Sequence, residues 1–209
     1  MSCVIKIGKY FHAPVVKIID MADVKGTVMY VHGYGSSGSA LKAQTLRAMF
    51  PEVEVLSPTF DYDNTDPWEV QRQLRHIVED NNVGLIVGSS LGGYHTLCAT
   101  RFYEGVVWCV NPVHDVMEII NKLTLERRGE VSRVYGGFDS EVFRRLPHRK
   151  GQLHFALSTD DELLGDHHQL LDIFPEYASV VWKEHSGHVF TRFAELENEI
   201  RNTYFQTKQ

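Results

Sequence analysis

Short apolar runs, punctuated by glycine, proline and polar clusters and separated by stretches of helical period, constrain this chain more than any other feature of its sequence. The runs lie at residues 27–32, 53–56, 85–88, 106–110, 153–157 and 180–182. Most are apolar almost without interruption. A strand with one face in water alternates apolar and polar residues, whereas a strand covered on both faces does not. The intervening stretches carry helix signals. Residues 40–50 follow a serine-rich start. Asp66-Pro67-Trp68-Glu69 combines an N-cap acid, a proline at the first helical position and a glutamate at the capping-box position. The helix it opens carries Val70, Leu74, Ile77 and Val78 on one face. Phe190, Phe193, Leu196, Ile200 and Tyr204 recur every three or four residues and predict a closing amphipathic helix. Strands alternating with helices require right-handed crossovers, so the predicted class is α/β, with a mostly parallel sheet and helices on both faces. Residues 4–7 and 15–19 predict an additional edge hairpin.

With 209 residues, 43% of them hydrophobic, the chain can bury one generous core. No linker, repeat or low-complexity tract divides it, so residues 1–209 read as a single domain. Residues 111–150 fit the alternation less well: a helix at 115–123, a polar glycine-containing stretch at 127–137 and a short helix at 139–146. An insertion of about 40 residues between core strands far exceeds the usual ~2–6 and predicts a small cap.

Twenty-one Lys and Arg against 27 Asp and Glu give a net charge of −6. A mildly acidic surface repels polyanions, which argues against nucleic acid or an anionic membrane as a general partner. No apolar stretch approaches the ~20 residues of a membrane span. The opening Met-Ser-Cys-Val-Ile-Lys-Ile places a lysine too early for a signal peptide. Cys3, Cys98 and Cys109 are widely spaced in apolar surroundings and read as reduced core thiols, so the expected compartment is the cytoplasm. No feature of the sequence specifies an oligomeric state.

Gly88-Ser89-Ser90-Leu91-Gly92-Gly93 matches Gly-x-Ser-x-Gly between a predicted strand and a predicted helix over residues 94–102. A sharp strand-to-helix turn holds a serine hydroxyl above the sheet edge, and flanking glycines remove the Cβ atoms that would clash there. Ser90 is therefore the candidate nucleophile, and Ser89 should point elsewhere. Upstream, Val31-His32-Gly33-Tyr34-Gly35-Ser36-Ser37 closes another strand. A developing oxyanion needs backbone N–H donors from such a loop and from the residue after the nucleophile, here Tyr34 and Leu91. His32 reads as a brace for that loop.

A serine nucleophile needs a base, and the base needs an acid to fix its tautomer. Eleven histidines offer candidates, and the chain order Ser, then Asp or Glu, then His prunes them. Asp160-Asp161-Glu162 follows one predicted strand, and His185-Ser186-Gly187-His188 follows the last. Both fall where open α/β sheets bind ligands. His188 is the base candidate, at the opening of the last helix. Asp161 is the acid candidate and Asp160 the next. Asp166 and Glu162 follow should both prove dispensable. Asp166, His167 and His168 adjoin one another rather than sharing a helix face, so no metal site is expected; His167 and His168 read as exposed first-turn residues. Trp108 and Trp182 sit in predicted core strands, and Asn111-Pro112 reads as a strand terminator, with a place in the pocket lining as the second reading. No nucleotide-binding glycine motif is present, and no cofactor is expected.

In combination, Val-His-Gly-Tyr-Gly-Ser-Ser with Ser39-x-x-Lys42-Ala43, Gly-Ser-Ser-Leu-Gly-Gly-Tyr, Val-Asn-Pro, Asp-Asp-Glu-Leu-Leu and Ser-Gly-His-x-Phe resemble the small bacterial esterases of the YqiA/UPF0227 group, within the α/β-hydrolase superfamily. The resemblance spans residues 27–200. It implies an α/β-hydrolase fold and a serine hydrolase acting on short acyl esters, a small-molecule substrate, with Ser90 as nucleophile, His188 as base and Asp161 as acid. Two departures are Tyr34-Gly35, where the group more often has Phe-Asn, and the region after Pro112, which does not match. The superfamily also includes thioesterases, lyases and catalytically dead relatives, so the alternative readings are a thioesterase or amidase on the same triad, or a non-catalytic binding protein retaining the fold.

Overall fold

In the computed structural model, which describes residues 26–116, 135, 152–165, 167–174 and 178–206, the apolar runs become one parallel sheet. The predicted amino-terminal hairpin and nearly all of the predicted cap lie outside the described residues. The strands are β1 (Thr27–Val31), β2 (Val55–Leu56), β3 (Val83–Ser89), β4 (Val106–Val110), β5 (Leu153–Ser158) and β6 (Ala178–Lys183). Their order is β2-β1-β3-β4-β5-β6, and every neighbouring pair is parallel. β3 starts earlier than its apolar run because Val83, directly after the left-handed Asn82, pairs with Thr27.

Successive residues of the inner strands are buried on opposite faces, which is why their runs do not alternate. Val28, Tyr30, Leu85, Val87, Val106, Trp108 and Val110 lie under α1 (Leu41–Met49) and the closing carboxyl-terminal segment. Met29, Val31, Ile86, Val107, Cys109 and Phe155 lie under α2 (Pro67–Asp80) and α3 (Leu91–Ala99). Truncating any one of these leaves a cavity on the order of 2–5 kcal/mol in cost. α2 begins where the sequence places it, with the Asp66 carboxylate accepting the Trp68 N–H at 2.8 Å. Cys98 and Cys109 are free and buried. No helix among the described residues is long and apolar enough to cross a membrane.

Three expectations are corrected. The helix after the Gly-x-Ser-x-Gly turn runs Leu91–Ala99, not 94–102, because the turn itself supplies its N-cap, Ser90. The closing segment is not one helix from Phe190: a 3₁₀ turn (Phe193–Leu196) leads into the α-helix Glu197–Gln206, and His188 stands ahead of both. Trp182 is 39% exposed because β6 is the sheet edge, whereas Trp108 in central β4 is buried and donates its indole N–H to Thr203 Oγ1 at 2.9 Å. The chain runs outward from β1 to β2 and then back to β3, so the loops leaving β1 and β3 diverge and open a crevice at the strands' carboxyl ends.

Candidate active site

The turn from β3 to α3 holds Ser90 at φ 55° and ψ −122°, a conformation costing a non-glycine residue about 1–3 kcal/mol. Its backbone is pinned on both sides: the Ser90 N–H donates to Val110 O at 3.0 Å, and Ser90 O accepts from Tyr94 N–H at 3.0 Å and Val113 N–H at 3.1 Å. The motif glycine Gly92 is obligatory, since a Cβ there would stand 2.2 Å from Val31 O and 2.3 Å from His32 O. Ser89 is buried on the other side of the strand and hydrogen-bonds Tyr30, so only Ser90 faces the crevice.

The Ser90 hydroxyl lies 2.9 Å from His188 Nε2. His188 Nδ1 lies 3.0 Å from Asp161 Oδ2 and 3.1 Å from Oδ1. Asp161 is 4% exposed, and its Oδ1 accepts the backbone N–H groups of Leu163 (3.0 Å) and Leu164 (2.8 Å). Burial alone would raise its pKa, but the hydrogen bonds from His167, His188 and Leu164 outweigh it and hold the carboxyl below the usual carboxylate range. It stays ionised.

Its two neighbours hold backbone instead. Asp160 Oδ1 accepts the Ser158 hydroxyl (2.6 Å) and the N–H groups of Ser186 (3.0 Å) and Gly187 (3.2 Å), and these bonds, Ser158's foremost, lower its pKa. Glu162 Oε2 accepts the His188 N–H at 2.8 Å. His185 is exposed, in a left-handed turn.

His167 is a correction: it is buried, not exposed, with Nε2 3.3 Å from Asp161 Oδ2. The turn through Gly165 folds the segment back onto the acid, and the next helix, His168–Ile173, starts one residue later. His168 is exposed as expected.

His32 braces the β1 loop. Its Nε2 accepts the Phe60 N–H at 2.9 Å, so its proton is on Nδ1, which donates to Gly33 O at 2.8 Å. Burial lowers its pKa and keeps it neutral. The Tyr62 hydroxyl donates to His32 O at 2.8 Å, and that of Tyr34 to Asp63 Oδ1 at 2.5 Å. A Cβ on Gly33 would lie 3.1 Å from Ser90 Cβ, so the Tyr34 amide follows directly on a close approach of loop and turn. Leu91 opens α3, and the amide of a first helical residue has no acceptor within its own helix. From the sequence Asn111 is a strand terminator or, second, a residue lining the pocket; it is fully buried at φ 40°, against the backbone of both the acid and the histidine loops. An asparagine before proline at a strand end on the crevice side is the signal for a residue in that place.

The fold resembles several solved structures. Est1E from Butyrivibrio proteoclasticus superposes with a TM-score of 0.67 at 13% identity, covering 88% of this chain and 88% of that one. Mouse alpha/beta hydrolase domain-containing protein 10 gives 0.65 at 14%, covering 88% and 92%. A lidless α/β serine hydrolase from Xanthomonas campestris gives 0.57 at 12%, covering 87% and 82%. At these identities the likeness establishes the fold, that of the α/β-hydrolases. The model of the family described as Uncharacterised protein family (UPF0227) matches residues 27–204, and to that family the chain belongs.

Proposed function

We propose that the protein is a serine hydrolase that cleaves short acyl esters through a covalent acyl-enzyme. One observation carries this: an unbroken chain of hydrogen-bond contacts from Ser90 Oγ through both His188 nitrogens to the ionised Asp161, with the serine on a strained turn at the crevice. With its proton on Nδ1 facing Asp161, His188 presents a free Nε2 lone pair to the hydroxyl. Ser90 Oγ attacks the acyl carbon while Nε2 takes its proton, and Asp161 balances the imidazolium. The amides of Tyr34 and Leu91 hold the tetrahedral oxyanion. Collapse expels the alcohol, which receives the proton from Nε2. Water enters by the same route, releasing the carboxylic acid and restoring Ser90.

The chemistry requires no cofactor, and the buried free thiols fit a cytoplasmic enzyme. Est1E, similar in fold, is also known with ferulic acid bound, a carboxylic acid of the kind such a reaction releases. The test is labelling with a fluorophosphonate probe and turnover of ester, thioester and amide panels. Wild type should label and hydrolyse esters fastest; Ser90→Ala should fold, fail to label and lose turnover on the order of 10⁶-fold. Wild-type rates in purified Ser90→Ala would overturn the assignment.

A further inference from the structure

The segment Val110-Asn111 touches backbone beside all three reacting side chains. Val110 O takes the Ser90 N–H at 3.0 Å, and the Asn111 N–H donates to Ala156 O at 2.9 Å. The Asn111 side chain then spans two further loops. Its Oδ1 accepts the Ser158 N–H at 2.8 Å, where β5 turns into the Asp160-Asp161-Glu162 stretch. Its Nδ2 donates to Gly187 O at 2.9 Å and His188 O at 3.2 Å.

We propose that Asn111 is a positioning residue, whose buried amide ties the end of β5 to the His188 loop and so sets the reach of the imidazole to Ser90 and Asp161. The rest of the loop's ties explain why this one matters. Asp160 and Glu162 hold N–H groups of residues 186–188, and the Lys42 ammonium meets Val189 O. The carbonyls of Gly187 and His188 are the ones Asn111 holds from outside the loop, Gly187 O also taking the Phe190 N–H at 3.1 Å. No other short side chain supplies an acceptor on one edge and two donor hydrogens on the other. The left-handed φ of 40° is one that asparagine adopts at lower cost than most residues. An imidazole displaced by about 1 Å costs on the order of 10²-fold in rate, so the tie acts on turnover rather than on substrate binding.

The kinetic part of this inference rests on the serine-hydrolase proposal; the structural part does not, and the experiment separates them. Asn111→Asp keeps shape, backbone tolerance and the acceptor for Ser158, but turns a carboxylate oxygen toward the two carbonyls. Asn111→Gly accepts the same φ and deletes the amide altogether, which covers the case of one variant failing to fold. Each is compared with wild type by thermal unfolding, by kcat and KM on a p-nitrophenyl ester, and by the low-field proton resonance of His188 Nδ1–H, assigned through its absence in His188→Gln. The expected result is a KM within about threefold, a kcat lower on the order of 10²-fold, and loss of the resonance in a folded protein. A folded variant that keeps wild-type kcat and the resonance overturns the proposal, and a lowered melting temperature alone would then assign Asn111 to stability. Should wild type hydrolyse no ester while the resonance still depends on Asn111, the tie stands and the hydrolase proposal falls.

Discussion

Three consecutive acids perform three tasks because a turn points each carboxylate in a different direction. Asp161 reaches the His188 ring, while Asp160 and Glu162 hold the backbone that carries it. Asp161→Asn should therefore cut kcat by about 10⁴, since an amide there favours the tautomer that presents N–H to the serine. Asp160→Asn should be far milder, because an amide oxygen can still accept from Ser158 and from the Ser186 and Gly187 N–H groups. Steady-state kinetics on both variants decides; a collapse in Asp160→Asn with normal rates in Asp161→Asn reverses the roles. Chain order points to an acid in this stretch, with Asp161 first and Asp160 next, and Asp161 is the one that lies 3.0 Å from His188 Nδ1. Adjacent identical residues are told apart by turn geometry, which their local sequence does not encode.

A second residue gives a pH prediction. His95 is fully buried, and desolvation lowers its pKa to about 3. Gln71 Nε2 donates to its Nδ1 at 3.0 Å, so its proton sits on Nε2 and goes to the Tyr135 hydroxyl at 2.9 Å. An unfolded histidine takes up a proton near pH ~6.5, which this folded one cannot do. Its neutral burial is thus costless above ~6.5, and stability falls as pH drops from there toward about 3, by up to about 1.4 kcal/mol per pH unit. Urea unfolding at pH 7 and pH 5 should show this drop, and His95→Gln should reduce it, leaving the part due to His154, whose pKa burial lowers to about 4.

At the scale of elements, periodicity finds the buried faces and the start of α2 but misplaces the bounds of α3 and of the closing segment. Phe190, Phe193 and Leu196 are spaced by three, the repeat of a 3₁₀ helix, whereas Leu196, Ile200 and Tyr204 are spaced by four, the repeat of an α-helix. The break was written in the spacing but hidden by treating three and four as one pattern. Trp182 and His167 show the reverse failure: burial there depends on which strand is the edge and on how a glycine turn folds back, neither of which is a local property. α3 meets β1 in close backbone contact at Gly92. Gly92→Ala would press a methyl to within 2.2 Å of Val31 O, where only backbone could move, and should destabilise the protein by about 3 kcal/mol or more. Chemical denaturation measures it; a loss under about 0.5 kcal/mol would show that α3 shifts freely against the sheet.

For the whole molecule, the sheet order brings together at one edge side chains that the chain keeps far apart. Ser90 stands at the end of β3, Asp161 just beyond β5 and His188 just beyond β6. The alternation of apolar runs predicted such a sheet, since parallel strands put all their carboxyl ends on one side; the order β2-β1-β3-β4-β5-β6 came only with the structure. Because the site depends on three strands of one sheet, fluorophosphonate labelling of Ser90 and far-UV circular dichroism should be lost at the same urea midpoint. Labelling lost at markedly lower urea would mean that the His188 loop opens before the sheet.

Every strand pairing joins segments distant in sequence, such as Thr27 with Val83 and Cys109 with Phe155, so little of the sheet can close early. During synthesis on the ribosome this acts as a safeguard. Ser90 emerges with its turn, but His188, whose Nε2 its hydroxyl faces, lies 98 residues further on. On the proposed chemistry, a chain cut short before β6 would hold a serine no more reactive than any other, and a nascent chain would acquire hydrolytic power only once β6 and the His188 loop have been made.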